Sequence, residues 1–303
     1  MLLAFALQAA DESTAWMERR EVLTREAERL SEAYKNVTAR VTQPAEDVNI
    51  PLETHASGAV ALMIGAKRAQ LFLDEDFIWA EGVKVIRRDE RGEVVMSVEA
   101  TRCLFDRSTK SGWAAGPTKI RQGNSEFDGE DVYFSHPENY VMSMTRSLIR
   151  TKDLKLGGAV KDRVPNGEGL SVLSRRCDFD REKGIAFFEG AVRVDYQPDY
   201  SMNADRLFVY FKGTNELDRI EAERNVAVTN QLRAGQCARA VFRRATGEIE
   251  MFGDGANSRA RLIDVGSSEA TGRTIKFWID RECVEIEDSE ILVNKGKGGL
   301  KSL

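Results

Sequence analysis

The sequence is poor in histidine and in long apolar runs. Its only histidines among 303 residues are His55 and His136, which argues against metal or acid–base chemistry built on histidine. The longest apolar stretches, residues 1–10 and 58–66, fall short of the ~20 residues that a membrane-spanning helix needs. We therefore expect neither a transmembrane helix nor a histidine-dependent active site.

The chain also lacks an excess of positive charge. Lys and Arg number 44 against 49 Asp and Glu, which gives a net charge of −5. A nucleic-acid-binding protein normally carries a basic excess, so no nucleic-acid partner is expected.

Cysteine is scarce as well, and its spacing excludes the common metal motifs. Cys103, Cys177, Cys237 and Cys283 lie 74, 60 and 46 positions apart, and no C-x-x-C occurs. These spacings match no zinc site. Buried cysteines on strands are favoured over disulfides, with both left open. We expect no metal and no cofactor.

The N-terminal part of the chain is predicted to be helical and then to run into a linker. Residues 1–10 are similar to the end of a signal-peptide hydrophobic region, although no Lys or Arg precedes Arg19. Residues 11–40 are predicted to form an amphipathic helix. Its apolar seam has heptad spacing, with Arg20 at the one missing position. The other members of the seam are Trp16, Leu23, Ala27, Leu30, Tyr34 and Val37.

Two interpretations of this helix remain open. It either docks a partner as a coiled coil or lies on its own domain, and the second is slightly favoured. Residues 41–56, which contain Pro44 and Pro51, are predicted to be a linker.

From residue 57 onward, apolar and polar residues alternate with the period of β-strands. The segment 102–107 recurs at 176–181, an offset of 74. Phe179, Gly184 and Gly190 recur 63 positions later. This unit of strand, glycine turn and strand predicts antiparallel hairpins that must stack to bury their apolar faces.

Several segments of the C-terminal half resemble the OstA-like domain of lipopolysaccharide-transport proteins, the LptA/LptC-like bridge family. The resemblance covers about residues 171–292, and residues 57–150 look like a diverged copy of the same domain or of its partner component in the same bridge. Arg224 departs from the family pattern, which has glycine before Asn225. The matching segments are 187–194 (FFEGAVRV), 203–207 (NADRL), 217–222 (LDRIEA), 225–228 (NVAV) and 240–249 (AVFRRATGEI).

The resemblance implies a curled antiparallel β jelly roll, or β-taco, built as two stacked OstA-like modules behind the N-terminal helix. The modules are residues 57–150 and 171–293, with a connecting segment at 151–170 and a flexible tail at 294–303. It also implies a non-enzymatic periplasmic protein that carries lipid A acyl chains toward the outer membrane. The expected partners are lipopolysaccharide and either other components of the transport bridge or further copies of the chain, joined edge to edge.

The alternation and the resemblance together predict a lipid-facing set of apolar residues. An apolar groove and an ordinary packed core both need one apolar face per strand, so this choice stays open. The predicted residues are Ile185, Phe187, Val192, Val194, Leu207, Val209, Phe211, Ile220, Val226, Val228, Ile249, Met251, Ile275, Phe277 and Ile279.

Two other functions compete with lipid carriage. In the first, the chain is a structural adaptor of the cell envelope whose seam, residues 16–37, docks a partner. In the second, it is a β-solenoid enzyme acting on polysaccharide, which predicts a cluster of carboxylates in one cleft.

Overall fold

The computed structural model describes residues 2–152, 169–196, 200–212, 216–230, 233–255, 258–264, 268–278, 284–288 and 290–293. These residues contain one α-helix, a single 3-10 turn at Leu73–Glu75 and nineteen β-strands. The strands pair antiparallel with their neighbours. The predicted class, a mainly β antiparallel jelly roll with an N-terminal helix, is confirmed.

The chain folds as two compact units. Unit 1 contains Met1–Thr118 and Asp131–Pro137, and unit 2 contains Lys119–Glu130 and Glu138–Leu303. The division falls within the fifth and sixth strands rather than at the predicted connecting segment. Of that segment, residues 153–168 lie outside the described residues, as does the predicted tail at 294–303.

Unit 1 is a helix followed by long hairpins. In order, β1 pairs with β2, β2 with β3 and β3 with β4. The division between the units passes through β5 and β6. The elements are α1 (Leu2–Thr38), β1 (Ala45–Thr54), β2 (Val60–Phe72), β3 (Phe77–Arg88), β4 (Val94–Asp106), β5 (Ser111–Gln122) and β6 (Ser125–Ser135).

Strand β1 corrects the prediction of a linker at 41–56. It pairs with β2 over most of its length, with Ile50 opposite Ile64. The prolines suggested a linker, but a proline is compatible with an edge strand whose free side faces solvent. Pro51 lies in such a strand, since the described residues pair β1 with β2 alone.

Helix α1 lies on unit 1, and it begins at Leu2 rather than at residue 11. It contacts β3 and β4, and an ion pair of 2.7 Å between Arg29 Nη2 and Asp106 Oδ2 ties it to the end of β4. The seam residues Trp16, Arg20, Leu23, Ala27, Leu30 and Val37 are all buried. The helix thus covers its own domain, and the partner-docking interpretation loses the apolar surface that it needs.

Unit 2 combines long strands with short ones. The long strands β10 to β13 pair in order, and β13 pairs with β14 along one part of its length and with β15 along another. The strands are β7 (Tyr140–Lys152), β8 (Gly169–Ser174), β9 (Arg176–Asp180), β10 (Ile185–Tyr196), β11 (Tyr200–Lys212), β12 (Glu216–Asn230), β13 (Arg233–Arg243), β14 (Glu248–Phe252), β15 (Ala260–Asp264), β16 (Ser268–Gly272), β17 (Thr274–Trp278), β18 (Val284–Glu287) and β19 (Glu290–Val293).

The sequence repeat has a counterpart in the backbone. Two residues after each of the three repeated phenylalanines, an arginine donates its amide N–H to a carbonyl just before or near the start of an earlier strand, at 2.9 to 3.1 Å. The three pairs are Arg107 to Asp76, Arg181 to Asn139 and Arg244 to Asp218. The recurring letters therefore mark recurring hairpins with a similar backbone hydrogen bond to an earlier part of the sheet.

Candidate functional site

The interior of unit 2 is one continuous apolar cluster. Its members come from β8 to β17, and each is at most 9% exposed. Ten of the predicted lipid-facing residues belong to it. They are Val192, Val194, Leu207, Val209, Ile220, Val226, Ile249, Met251, Ile275 and Phe277.

The remaining predicted residues differ in their positions. Phe211 and Val228 pack against the cluster as partly buried side chains. Ile279 lies outside the described residues. Ile185 and Phe187 do not belong to the cluster.

Ile185 and Phe187 were assigned to the wrong face of β10. Their neighbours Ala186 and Phe188 belong to the interior cluster instead. Phe187 is fully buried on the opposite face, where its ring lies 4.6 Å from the ring of Phe208, its partner on β11. Phe187 therefore lies outside the apolar cluster although it is fully buried.

The error is a change of phase that the prediction placed on β10 between Phe187 and Val192. The register between β10 and β11 shifts between Glu189 and Val192. On β10 the alternation passes through this shift unchanged, because residues 186, 188, 192 and 194 all face inward. The change of phase falls on β11, where Ala204 and Leu207, three residues apart, both face inward. A bulge has this effect because two residues of one strand oppose one residue of the other.

The interior also contains residues that sequence reasoning missed. Several are alanines, whose small side chains give little hydrophobic signal, but each follows from its cross-strand partner. For example, Ala222 pairs with Leu207 and Ala240 pairs with Ala222. The missed members are Val172, Cys177, Ala186, Phe188, Ala204, Leu217, Ala222, Ala240, Phe242, Ala260 and Leu262.

Left-handed residues lie at the bulges in the middle of the long strands. Gly190 has φ +83° and Ala191 has φ +50° on β10, while Arg224 has φ +64° and Asn225 φ +52° on β12. The register between β12 and β13 shifts at the same place, between Glu223 and Val226. Bulges bend strands, and the cluster joins residues from before and after these bends. Arg224, which departs from the family glycine, thus occupies a backbone conformation that glycine would adopt without strain.

A small cleft opens at one end of the interior. Its empty volume is about 210 Å³, which includes space open to solvent. Among the described residues, its lining combines apolar groups with an asparagine and an arginine. The described lining residues are Tyr200, Val228, Asn230, Arg233, Gly235, Leu262 and Phe277.

On the outer face of the same strands, charges are paired across neighbours. Glu221 accepts hydrogen bonds from Arg219 Nε at 2.8 Å and from Arg239 Nη2 at 2.7 Å. Burial opposes the charged form of Glu221, but these hydrogen bonds and charges outweigh it and hold its pKa below its ordinary value. The Arg219 guanidinium also lies 3.7 Å from the ring centroid of Tyr210. One face of these strands is thus apolar, and the other carries ion pairs beside the buried rings of Phe187 and Phe208.

Unit 1 carries an apolar face that is less buried. Ile50, Ile64, Val85 and Val98 form one cross-strand row over β1 to β4. Ile50 is 41% exposed, and the other three are partly buried. Their side chains lie on the same face of the sheet because they are register partners.

The described cysteines are unreactive. Cys103, Cys177 and Cys237 are free thiols. Burial raises the pKa of Cys103 and of Cys237 to about 12, so both stay protonated at neutral pH. Cys283 lies outside the described residues. Within the described part of the chain, no group of three His, Cys, Asp or Glu side chains is placed to hold a metal ion.

Comparison with known proteins finds a matching family profile and similar solved structures. No helix among the described residues is long and apolar enough to cross a membrane. No curated protein matches the chain. A solved structure of LptH from Pseudomonas aeruginosa, the LptA homologous periplasmic component of the lipopolysaccharide transport device, is similar at 10% identity and a TM-score of 0.37. The match covers 41% of this chain and 94% of the LptH chain.

The family match falls on unit 2. The sequence profile of the family described as "LptA/(LptD N-terminal domain) LPS transport protein" matches residues 171–282. These residues contain the bulged strands and the apolar interior described above. Over residues 171–282, this chain is therefore similar to the LptA/LptD N-terminal domain family of lipopolysaccharide-transport proteins.

Proposed function

We propose that this chain carries lipopolysaccharide by the acyl chains of lipid A, without catalysis, across the periplasm toward the outer membrane. The observation that carries the proposal is that the family match at 171–282 coincides with the apolar interior of unit 2. Transfer of acyl chains from water into such an interior contributes about 0.8 kcal/mol per CH₂ group. Several chains would therefore supply the affinity with no chemical step.

The interior of unit 2 must widen to accept these chains. Its described side chains are closely packed, and the cleft of about 210 Å³ includes space open to solvent. Entry begins at the cleft, where Val228 is only partly buried. The half-exposed row on unit 1, from Ile50 to Val98, supports the same proposal with a second apolar surface.

Association with other transport components would use sheet edges. In the described residues, β18 pairs with β17 alone and β19 pairs with β16 alone. An edge strand offers backbone donors and acceptors to a strand from another chain. Delivery to the periplasm would require export, for which the signal-like residues 1–10 remain a prediction.

Neighbouring aromatic residues on β11 offer a sharp test of the lipid site. Phe211 packs on the interior cluster, whereas Tyr210 stacks on Phe208 and lies under Arg219 on the opposite face. A photo-reactive phenylalanine is placed at each position, and purified lipopolysaccharide is added before irradiation. We expect an adduct, detected by mass spectrometry, from position 211 and none from position 210.

Equal labelling at both positions, or none at position 211, would count against lipid carriage through this interior. Circular dichroism of both variants shows that each is folded. The pair is matched because both positions lie on one strand and carry aromatic side chains of similar size.

A further inference from the structure

The free edge of β1 in unit 1 is unusually irregular. Ala45–Thr54 forms the strand, and the described residues pair it with β2 alone. Apart from Val48 and Glu53, every residue of β1 whose side chain is described is exposed. Such an edge would normally offer a row of backbone groups to another strand.

Proline interrupts this row in the middle of the strand. Pro51 has no N–H, and a proline in a paired strand sits where its nitrogen faces away from the neighbour. The free edge therefore lacks a donor at Pro51. The register with β2 is also irregular between Pro51 and Thr54, so the strand changes its course just beyond the proline.

A second interruption lies four residues earlier. Asp47 has φ +49°, a left-handed conformation that breaks the extended geometry of the strand. Its carbonyl oxygen accepts a hydrogen bond from Asn49 Nδ2 at 3.3 Å. Asn49 is the register partner of Gly65, and a Cβ on that glycine would lie 3.0 Å from Asn49 Oδ1. The glycine thus provides the space in which the asparagine side chain lies.

Charge adds to these backbone features. Glu46, Asp47 and Glu53 make β1 acidic, and the edge strand β18 carries Glu285 and Glu287, both exposed. Addition of β18 from a second copy to β1 would set like charges side by side, which is unfavourable. The same arrangement also protects an edge against aggregation.

We propose that β1 is closed to strand addition, so that no second copy of this chain extends its sheet there. Under the proposed transport function, on which this role rests, a row of chains joined edge to edge ends at β1. Other components of the row then join at a different edge. The chain is a terminal member of such a row rather than a repeating one.

The test is to replace the residues that interrupt the edge of β1 and to measure self-association of the full chain. Sedimentation velocity over a concentration series gives this measurement. The triple variant Asp47→Thr, Asn49→Thr, Pro51→Val supplies a donor and strand-favouring residues. We expect it to self-associate at least about tenfold more tightly than the wild type. The control Glu46→Thr removes one carboxylate, as Asp47→Thr does, but leaves the irregular backbone in place, and it should behave as the wild type.

Hydrogen exchange of the wild-type chain provides a readout that needs no variant. The amides of β1 should exchange at the same rate at low and high protein concentration. Protection that rises with concentration, or a folded triple variant that sediments as the wild type does, would overturn the proposal. No lipopolysaccharide is present, so a failure of lipid carriage would leave these results unchanged.

Discussion

Replacement of Leu207 by alanine tests whether acyl chains enter the interior of unit 2. Leu207 is 1% exposed, and its register partners in the cluster are Phe188 and Ala222. A leucine with packed neighbours on both sides should lose about 3–4 kcal/mol of unfolding free energy when truncated to alanine. For a unit of this size, that loss lowers the melting temperature by about 10 °C.

The adjacent residue provides a matched control. Phe208 is 5% exposed and packs on the ring of Phe187, on the face opposite the cluster. Phe208→Ala should cost about 3–5 kcal/mol, so both variants lose a similar amount of stability. They differ in where the lost volume lies, since only Leu207→Ala enlarges the interior.

The assay is thermal unfolding of each variant with and without lipopolysaccharide. A ligand that binds only the folded state raises the unfolding free energy in proportion to the logarithm of its concentration over its dissociation constant. An acyl chain that fills the space left by Leu207 should therefore stabilise Leu207→Ala more than Phe208→Ala. Equal stabilisation of the two, or greater stabilisation of Phe208→Ala, would refute binding in this interior.

Three further predictions follow from the strand geometry and the ion pairs. Arg224→Gly should stabilise unit 2 by about 0.5–1 kcal/mol in urea unfolding, because it relieves a left-handed φ of +64°, whereas Arg193→Gly, in extended backbone, should destabilise it. Wild-type stability should fall as the pH drops below the ordinary Glu221 pKa of 4.5, because the lowered pKa in the folded state contributes stability only above that range. Glu221→Gln should remove that part of the pH dependence and cost about 2 kcal/mol at neutral pH. Asp106→Asn should cost about 1–3 kcal/mol and speed amide exchange in α1, because it removes the charge on β4 with which Arg29 of the helix pairs.

Each of these predictions has a contradicting result. A destabilised Arg224→Gly would show that the arginine side chain contributes more than its backbone strain costs. If the unfolding free energy of Glu221→Gln fell at acid pH as steeply as that of the wild type, other carboxyl groups would control the loss of stability. Unchanged exchange of α1 in Asp106→Asn would show that the buried seam alone holds the helix.

The local patterns of the sequence determined the kinds of element in this protein. Period-two alternation predicted strands, and the recurring phenylalanine and glycine positions predicted hairpins that the backbone then repeats at Arg107, Arg181 and Arg244. Heptad spacing predicted the buried face of α1 from Trp16 to Val37. These features depend on neighbours within a few residues, so they are readable without any knowledge of the fold.

Tertiary structure alone decided which face of each strand is the interior. Alternation shows that Phe187 and Phe188 lie on opposite faces, but only pairing with β11 places Phe188 inside and Phe187 outside. The segment around Pro51 was predicted to be a linker, and only its pairing with β2 makes it an edge strand. Phase and pairing are set by contacts between residues distant in sequence, and a single bulge shifts the phase of everything beyond it.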